Sequence, residues 1–112
     1  MSLTYLRFLN LVQAIRELPS VPALDPVEER LLNALAAMLA AGEPITVLQA
    51  MNSATETSPS TVHRRLKSLH EMGLISYAEK AGDQRAKHIQ LTPLAQQYFA
   101  ALGRCMDKAA GH

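Results

Sequence analysis

Three times in this chain a residue that can cap a helix stands directly before a proline: Asp25–Pro26, Ser58–Pro59 and Thr92–Pro93. Each pair is a helix start. The capping oxygen accepts from backbone N–H groups just inside the helix, and proline at the first helical position gives up a donor that has no intrahelical partner. Glu28 stands three positions after Asp25, the spacing of a capping box, and Thr46 with Gln49 repeats that spacing. Four helices thus begin at defined places in 112 residues, which predicts a mainly helical fold.

The residue spacing downstream of each start agrees. After Asp25, the residues Leu31, Leu32, Leu35, Met38 and Leu39 recur at helical spacing until Gly42. The Thr46 helix is short, ending at about Asn52. Glu43–Pro44–Ile45 has room for no more than a bridge strand, and Ser53–Thr57 reads as a polar turn. Between Leu74 and Thr92 the period shortens. Leu74–Glu79 and Lys87–Leu91 are β-compatible, and Ala81–Gly82–Asp83 supplies turn chemistry between them. Past Pro93, the residues Leu94, Tyr98, Leu102 and Met106, spaced by four, mark a last helix. A first helix occupies Met1–Leu18, and Pro19 and Pro22 bend the Pro19–Leu24 elbow behind it. The predicted order is helix, helix, short strand, helix, helix, strand–loop–strand, helix.

A chain of this length has room for one domain and a modest core. Hydrophobic residues make up 48% and aromatics 4%, with no Trp, so that core must be mostly Leu, Ala, Ile, Val and Met. Cys105 is the single cysteine and has no internal partner, which fits a reducing, cytoplasmic setting. Met1–Leu18 is apolar-rich but carries Arg7 and Arg16, so neither a signal peptide nor a membrane span is expected.

The charge is unevenly spread. Residues 1–57 hold 3 Lys/Arg against 6 Asp/Glu, a net of −3, whereas residues 58–90 hold 6 against 3, a net of +3. A polyanion would meet the middle third. Within it, Val62, Leu66 and Leu69 form one apolar seam along the helix that starts at Pro59, and Met72 lies near the same side. Ser60, Arg64 and Lys67 occupy the opposite pole, with His63 and Ser68 flanking them. Such a helix suits the major groove. Arg64, Arg65 and Lys67 reach guanine acceptors or phosphates, Ser58, Ser60, Thr61 and Ser68 reach phosphate or base edges, and His63 donates to either. A basic helical face alone is not specific, since many solvated helices carry one. The hairpin adds the specificity. It puts Arg85 at or near its tip, where it can enter the minor groove, with Lys87 behind it and Asp83 placed to orient Arg85.

The first helix carries an unusually wide apolar arc. Tyr5, Phe8, Leu9, Leu11, Val12, Ile15 and Leu18 fill roughly half of its circumference, interrupted by Arg16. So wide an arc calls for two packing partners, its own domain and a second subunit. The expected dimer residues are Leu3, Tyr5, Phe8, Leu11, Val12 and Ile15, with Leu102 and Met106 of the last helix.

The segments Ser60 to Leu69, Gly73–Leu74–Ile75, Asp83–Gln84–Arg85 and Leu91–Thr92–Pro93 together resemble the winged helix-turn-helix of MarR-type transcriptional regulators, over about residues 25–100. The resemblance implies a mainly α fold with a small β-hairpin, in which N- and C-terminal helices dimerise. It implies a bacterial-type homodimer that regulates transcription, most simply as a repressor, on a pseudo-palindromic double-stranded operator. The expected division is a dimerisation helix at 1–18, a DNA-binding domain at 25–92 and a packing helix at 93–112. No small-molecule effector is inferred.

Other chemistries find little to stand on. His63 and His70 are seven apart and His88 is elsewhere, without the close carboxylate or thiolate partners of a metal site. There is no nucleophile–base set, no glycine-rich phosphate loop and no carboxylate pair, so neither an enzyme nor a cofactor is expected. The alternative to DNA binding is a winged helix used for protein–protein contact, which has no need of Arg64, Lys67, Arg85 and Lys87 on those two elements.

Overall fold

The computed structural model describes residues 2–18, 22–53, 58–80 and 83–111, and for residues 48, 52, 53, 79, 80 and 83–86 the backbone alone. The elements run α1 (Leu3–Arg16), α2 (Pro26–Ala40), α3 (Val47–Ser53), α4 (Pro59–Glu71), β1 (Ile75–Lys80), β2 (Asp83–Leu91) and α5 (Pro93–Ala109). This is the predicted order, except that the short strand expected at Glu43–Pro44–Ile45 is reduced to a single bridge at Thr46, and it is the architecture of a winged helix-turn-helix. The Pro19–Leu24 elbow falls partly, and the Ser53–Thr57 turn almost wholly, outside the described residues.

The helix starts use the predicted caps. Ser58 accepts from the Thr61 N–H and Thr92 from the Ala95 N–H. Thr46 and Gln49 close their box by reciprocal bonds of 2.9 and 3.1 Å. The end of α4 is equally defined. Gly73 takes φ +80, its N–H reaches the His70 carbonyl, and the Leu74 N–H reaches back to Leu69. This paired arrangement satisfies carbonyls that the helix leaves over, and it needs a left-handed residue at the glycine. The Thr92 hydroxyl then donates to the Gly73 carbonyl at 2.6 Å while capping α5 with the same oxygen. One threonine thereby fixes where α4 stops and where α5 begins.

The core is mostly aliphatic, as expected, with Tyr98 buried in it and the methionines Met38, Met51 and Met72 only partly buried at its margin. Leu32 and Leu35 of α2, Ile45, Ala50 of α3, and Val62, Leu66 and Leu69 of α4 are buried with Leu74, Ile75, Ile89, Ala95 and Tyr98. The α4 seam is therefore its buried stripe. β1 and β2 pair antiparallel from Ile75↔Leu91 to Glu79↔Lys87. Ile45 and Thr46 join the free edge of β2: Thr46 bridges His88, and the Ile89 N–H donates to the Ile45 carbonyl at 2.8 Å. Both strands extend beyond the predicted spans at the loop end, because backbone pairing tolerates the polar residues that ended the apolar alternation.

α1 packs on α5. Arg16, at the end of α1, is bonded to Glu29 of α2 at 2.5 Å. Burial raises the Tyr98 hydroxyl above its ordinary range, and the nearby Arg16 cation partly opposes that shift. Between α1 and α5 runs an open groove of about 730 Å³ with Leu11, Ile15, Leu18 and Leu94 along it and Arg104 and Lys108 among its lining residues.

Candidate nucleic-acid interface

α4 comes directly after α3 and lies across α2, the arrangement that leaves one long face of a helix free. Ser60, His63, Arg64 and Lys67 are exposed, as is Ser58 at the cap, and Thr61 is half-buried. The three hydroxyls at the start of α4 gather together. Ser58 Oγ stands 2.8 Å from Thr61 Oγ1 and 3.3 Å from Ser60 Oγ. They sit at the positive end of the helix dipole, where Pro59 carries no N–H and the Thr61 and Val62 N–H groups are already bonded to Ser58. Arg64 and Lys67 extend the positive potential along the exposed face by one turn.

Two residues of the predicted set point elsewhere. Arg65 Nη1 is paired with Asp25 Oδ2 at 2.6 Å, and its Nε is buried. The Ser68 hydroxyl donates to Glu28 Oε2. Both are turned toward the N-terminus of α2, since they flank the buried Leu66–Leu69 stripe on the side that α2 covers. They are engaged inside the fold rather than presented with Arg64 and Lys67.

The hairpin leads directly from the end of α4. The rings of His70 and Tyr77 lie 4.8 Å apart, tying the last turn of α4 to β1, and desolvation there raises the Tyr77 hydroxyl above its ordinary range. The register shifts between Glu79 and Lys80, and Lys80 pairs with Asp83. Arg85 thus lies within β2, two residues past Asp83 and opposite that irregularity, near the loop end of the hairpin. Residues 81 and 82 and the side chains of Asp83 and Arg85 are outside the described residues, so the predicted orienting contact is as well. Lys87 is exposed, paired across the strands with Glu79 in backbone register.

The predicted dimer residues divide. Leu3 is 70% exposed, Tyr5 58% and Met106 60%. Phe8, Leu11 and Ile15 are half-buried. Val12 is buried within the protomer, and Leu102 packs against the core cluster, so these two serve the subunit's own packing. Leu6 and Leu9, the first of which the helical wheel did not select, add to the exposed apolar surface of α1.

Glu28, which the sequence marks only as a helix cap, has a second role in the fold. Its capping role was legible from the spacing, but its burial, to 4% exposure, and its bond to Ser68 forty residues away were not. Among the described residues, no cluster of His, Cys, Asp or Glu is placed to hold a metal ion, and no helix is long and apolar enough to cross a membrane.

Residues 29–79 match the IclR helix-turn-helix domain family. The match runs from the first turns of α2 through α3 and α4 into β1, and so includes the whole of α4, which carries the exposed basic face. It supports a DNA-binding transcriptional regulator of the winged helix-turn-helix class and does not single out the MarR type. No curated protein matches the chain.

Proposed function

We propose that this protein binds double-stranded DNA sequence-specifically as a homodimer and regulates transcription, acting as a repressor by occluding its operator. α4 enters the major groove. Arg64 and Lys67 contact base edges or phosphates, His63 donates alongside them, and Ser58, Ser60 and Thr61 hold a phosphate at the helix start. The hairpin lies along the adjoining minor groove or backbone and brings Arg85 and Lys87, with Asp83 orienting Arg85. The observation that carries this reading is the exposed Arg64–Lys67 face of a helix whose opposite stripe, Val62, Leu66 and Leu69, is fully engaged in the core. A dimerisation helix at 1–18, a DNA-binding domain at 25–92 and a packing helix at 93–112 is the division that best fits these roles.

The homodimer reading is supported by α1. A helix packed on one neighbour needs one apolar stripe, and α1 keeps Leu3, Tyr5, Leu6 and Leu9 exposed in addition to its buried Val12. A two-fold dimer reads half-sites about 34 Å apart, one helical turn, on a pseudo-palindrome.

The test is equilibrium binding of the full chain to genomic and random duplexes across a salt series. Affinity falls steeply with salt if Lys and Arg side chains displace counterions. Absence of binding at low salt to either kind of duplex refutes the proposal and leaves the protein-contact alternative.

A further inference from the structure

The N-terminus of α2 holds more than its own first turn. Asp25 Oδ1 accepts from the Glu28 N–H at 2.7 Å, and Glu28 Oε1 accepts from the Asp25 N–H at 3.0 Å. These two bonds complete the capping box and use one oxygen of each carboxylate. The second oxygen of each is bonded to α4: Asp25 Oδ2 to Arg65 at 2.6 Å, and Glu28 Oε2 to the Ser68 hydroxyl. A capping box needs neither outer bond. Leaving a carboxylate oxygen buried and unpaired is costly, and here Ser68 meets that need for Glu28, which is only 4% exposed.

The positions of the two anchors on α4 matter. Arg65 is next in the chain to Arg64, and Ser68 is next to Lys67. Neighbouring residues on a helix are about 100° apart, so each anchor fixes the azimuth of the basic residue beside it. The aliphatic stripe alone is a weaker guide, because apolar contacts are non-directional and tolerate small rotations. Hydrogen bonds to charged groups are directional and short. A rotation of α4 by about 15° would move a side-chain tip at a radius of about 5 Å by roughly 1.3 Å, enough to break a paired contact to a base edge.

We propose that the Asp25–Glu28 capping box is the azimuthal lock of α4. Asp25, Glu28, Arg65 and Ser68 are positioning residues that determine which way Arg64 and Lys67 face. The proposal rests on the DNA-binding reading for its functional consequence, but not for the lock itself. Specificity depends on the lock and non-specific attraction does not, because the exposed cations keep their charge whatever the azimuth.

The experiment uses the full chain with Ser68→Ala, Asp25→Asn and both together, and with Ser68→Thr as the rescue. Asparagine retains capping at position 25 while removing the charge that faces Arg65. Residual dipolar couplings report the orientation of α4 against α2 in the absence of DNA. Binding to a selected duplex and to a random one gives the specificity ratio. The expected result is a changed α4 orientation in the double variant, a specificity ratio lowered by about fivefold or more, an unchanged salt slope, and restoration of the single Ser68 defect by threonine. Unchanged couplings overturn the lock, even if the melting temperature falls, because a merely structural bond would lower stability without reorienting the helix. If the double variant does not fold, the Asp25→Asn couplings decide alone. If the unaltered protein binds no duplex, the DNA reading fails while the couplings still decide the lock.

Discussion

Replacing glycine by alanine at positions 73 and 103 should change stability in opposite directions. At Gly73 the backbone has φ +80, and an added Cβ would meet nothing nearer than Leu94 Cδ2 at 3.8 Å. That is ordinary contact, so the cost is conformational. An L-residue in the left-handed region costs roughly 1–2 kcal/mol, partly offset by about 0.4–1 kcal/mol from the reduced freedom of the unfolded chain. The net for Gly73→Ala is a loss of about 1 kcal/mol. Gly103 lies inside α5 with nothing within 4 Å of a built Cβ and no left-handed φ. There alanine relieves the helix-interior penalty of glycine, a gain of about 0.5–1 kcal/mol. For a domain of this size each kcal/mol moves the melting temperature by about 4 °C. Urea unfolding followed by circular dichroism gives both free energies, and Gly73→Asn should fall between glycine and alanine because asparagine tolerates the left-handed region. If Gly73→Ala is neutral or stabilising, the paired bonds at the end of α4 do not demand the geometry assigned to them. Gly73 would then not be what directs the chain from α4 into the hairpin.

Other perturbations address the interface and the assembly. Arg64→Ala should lower the specificity ratio by about 1–3 kcal/mol at the base pair it reads, whereas Lys87→Ala should weaken all duplexes similarly and make the salt slope shallower by about 1; competition binding separates the two. Leu9→Lys, on the exposed side of α1, should shift sedimentation equilibrium toward monomer, and an unchanged oligomer would remove that face from the interface. Burial raises the hydroxyls of Tyr77 and Tyr98, so each proton is held more tightly folded than unfolded. Their contribution is then constant below the unfolded value of about 10 and is lost as pH rises through the folded value. Urea midpoints should therefore fall above about pH 10, and less so in Tyr98→Phe.

Much of the fold was legible because it rests on local signals. Asp25, Ser58 and Thr92 declare helix starts through bonds that reach three residues, and Gly73 declares a stop through bonds that reach five. Spacing alone then sorted Val62, Leu66 and Leu69 into the core. The strand ends were less legible. Pairing between Lys80 and Asp83 depends on the partner strand, not on any apolar alternation in either segment.

The interface divided along the same line. A helical wheel ranks residues by angle from the apolar stripe, and it placed Arg64, Lys67 and Ser60 correctly on the exposed face of α4. At the flanks the wheel has no means of choosing. Arg65 and Ser68 stand at the boundary, and their direction is settled by what lies across from them: carboxylates on α2, forty residues earlier in each case. The same ambiguity affected Val12 and Leu102, whose positions suited either a second subunit or the protomer's own packing, and which the fold takes for itself. Residues at the centre of a face are thus decided by periodicity, whereas residues at its edges are decided by the neighbour. If α4 reads DNA as proposed, this has a functional consequence: the edge residues are the ones that neighbouring helices can grip, so the orientation of the exposed Arg64–Lys67 face would depend on the surface of α2 as much as on α4.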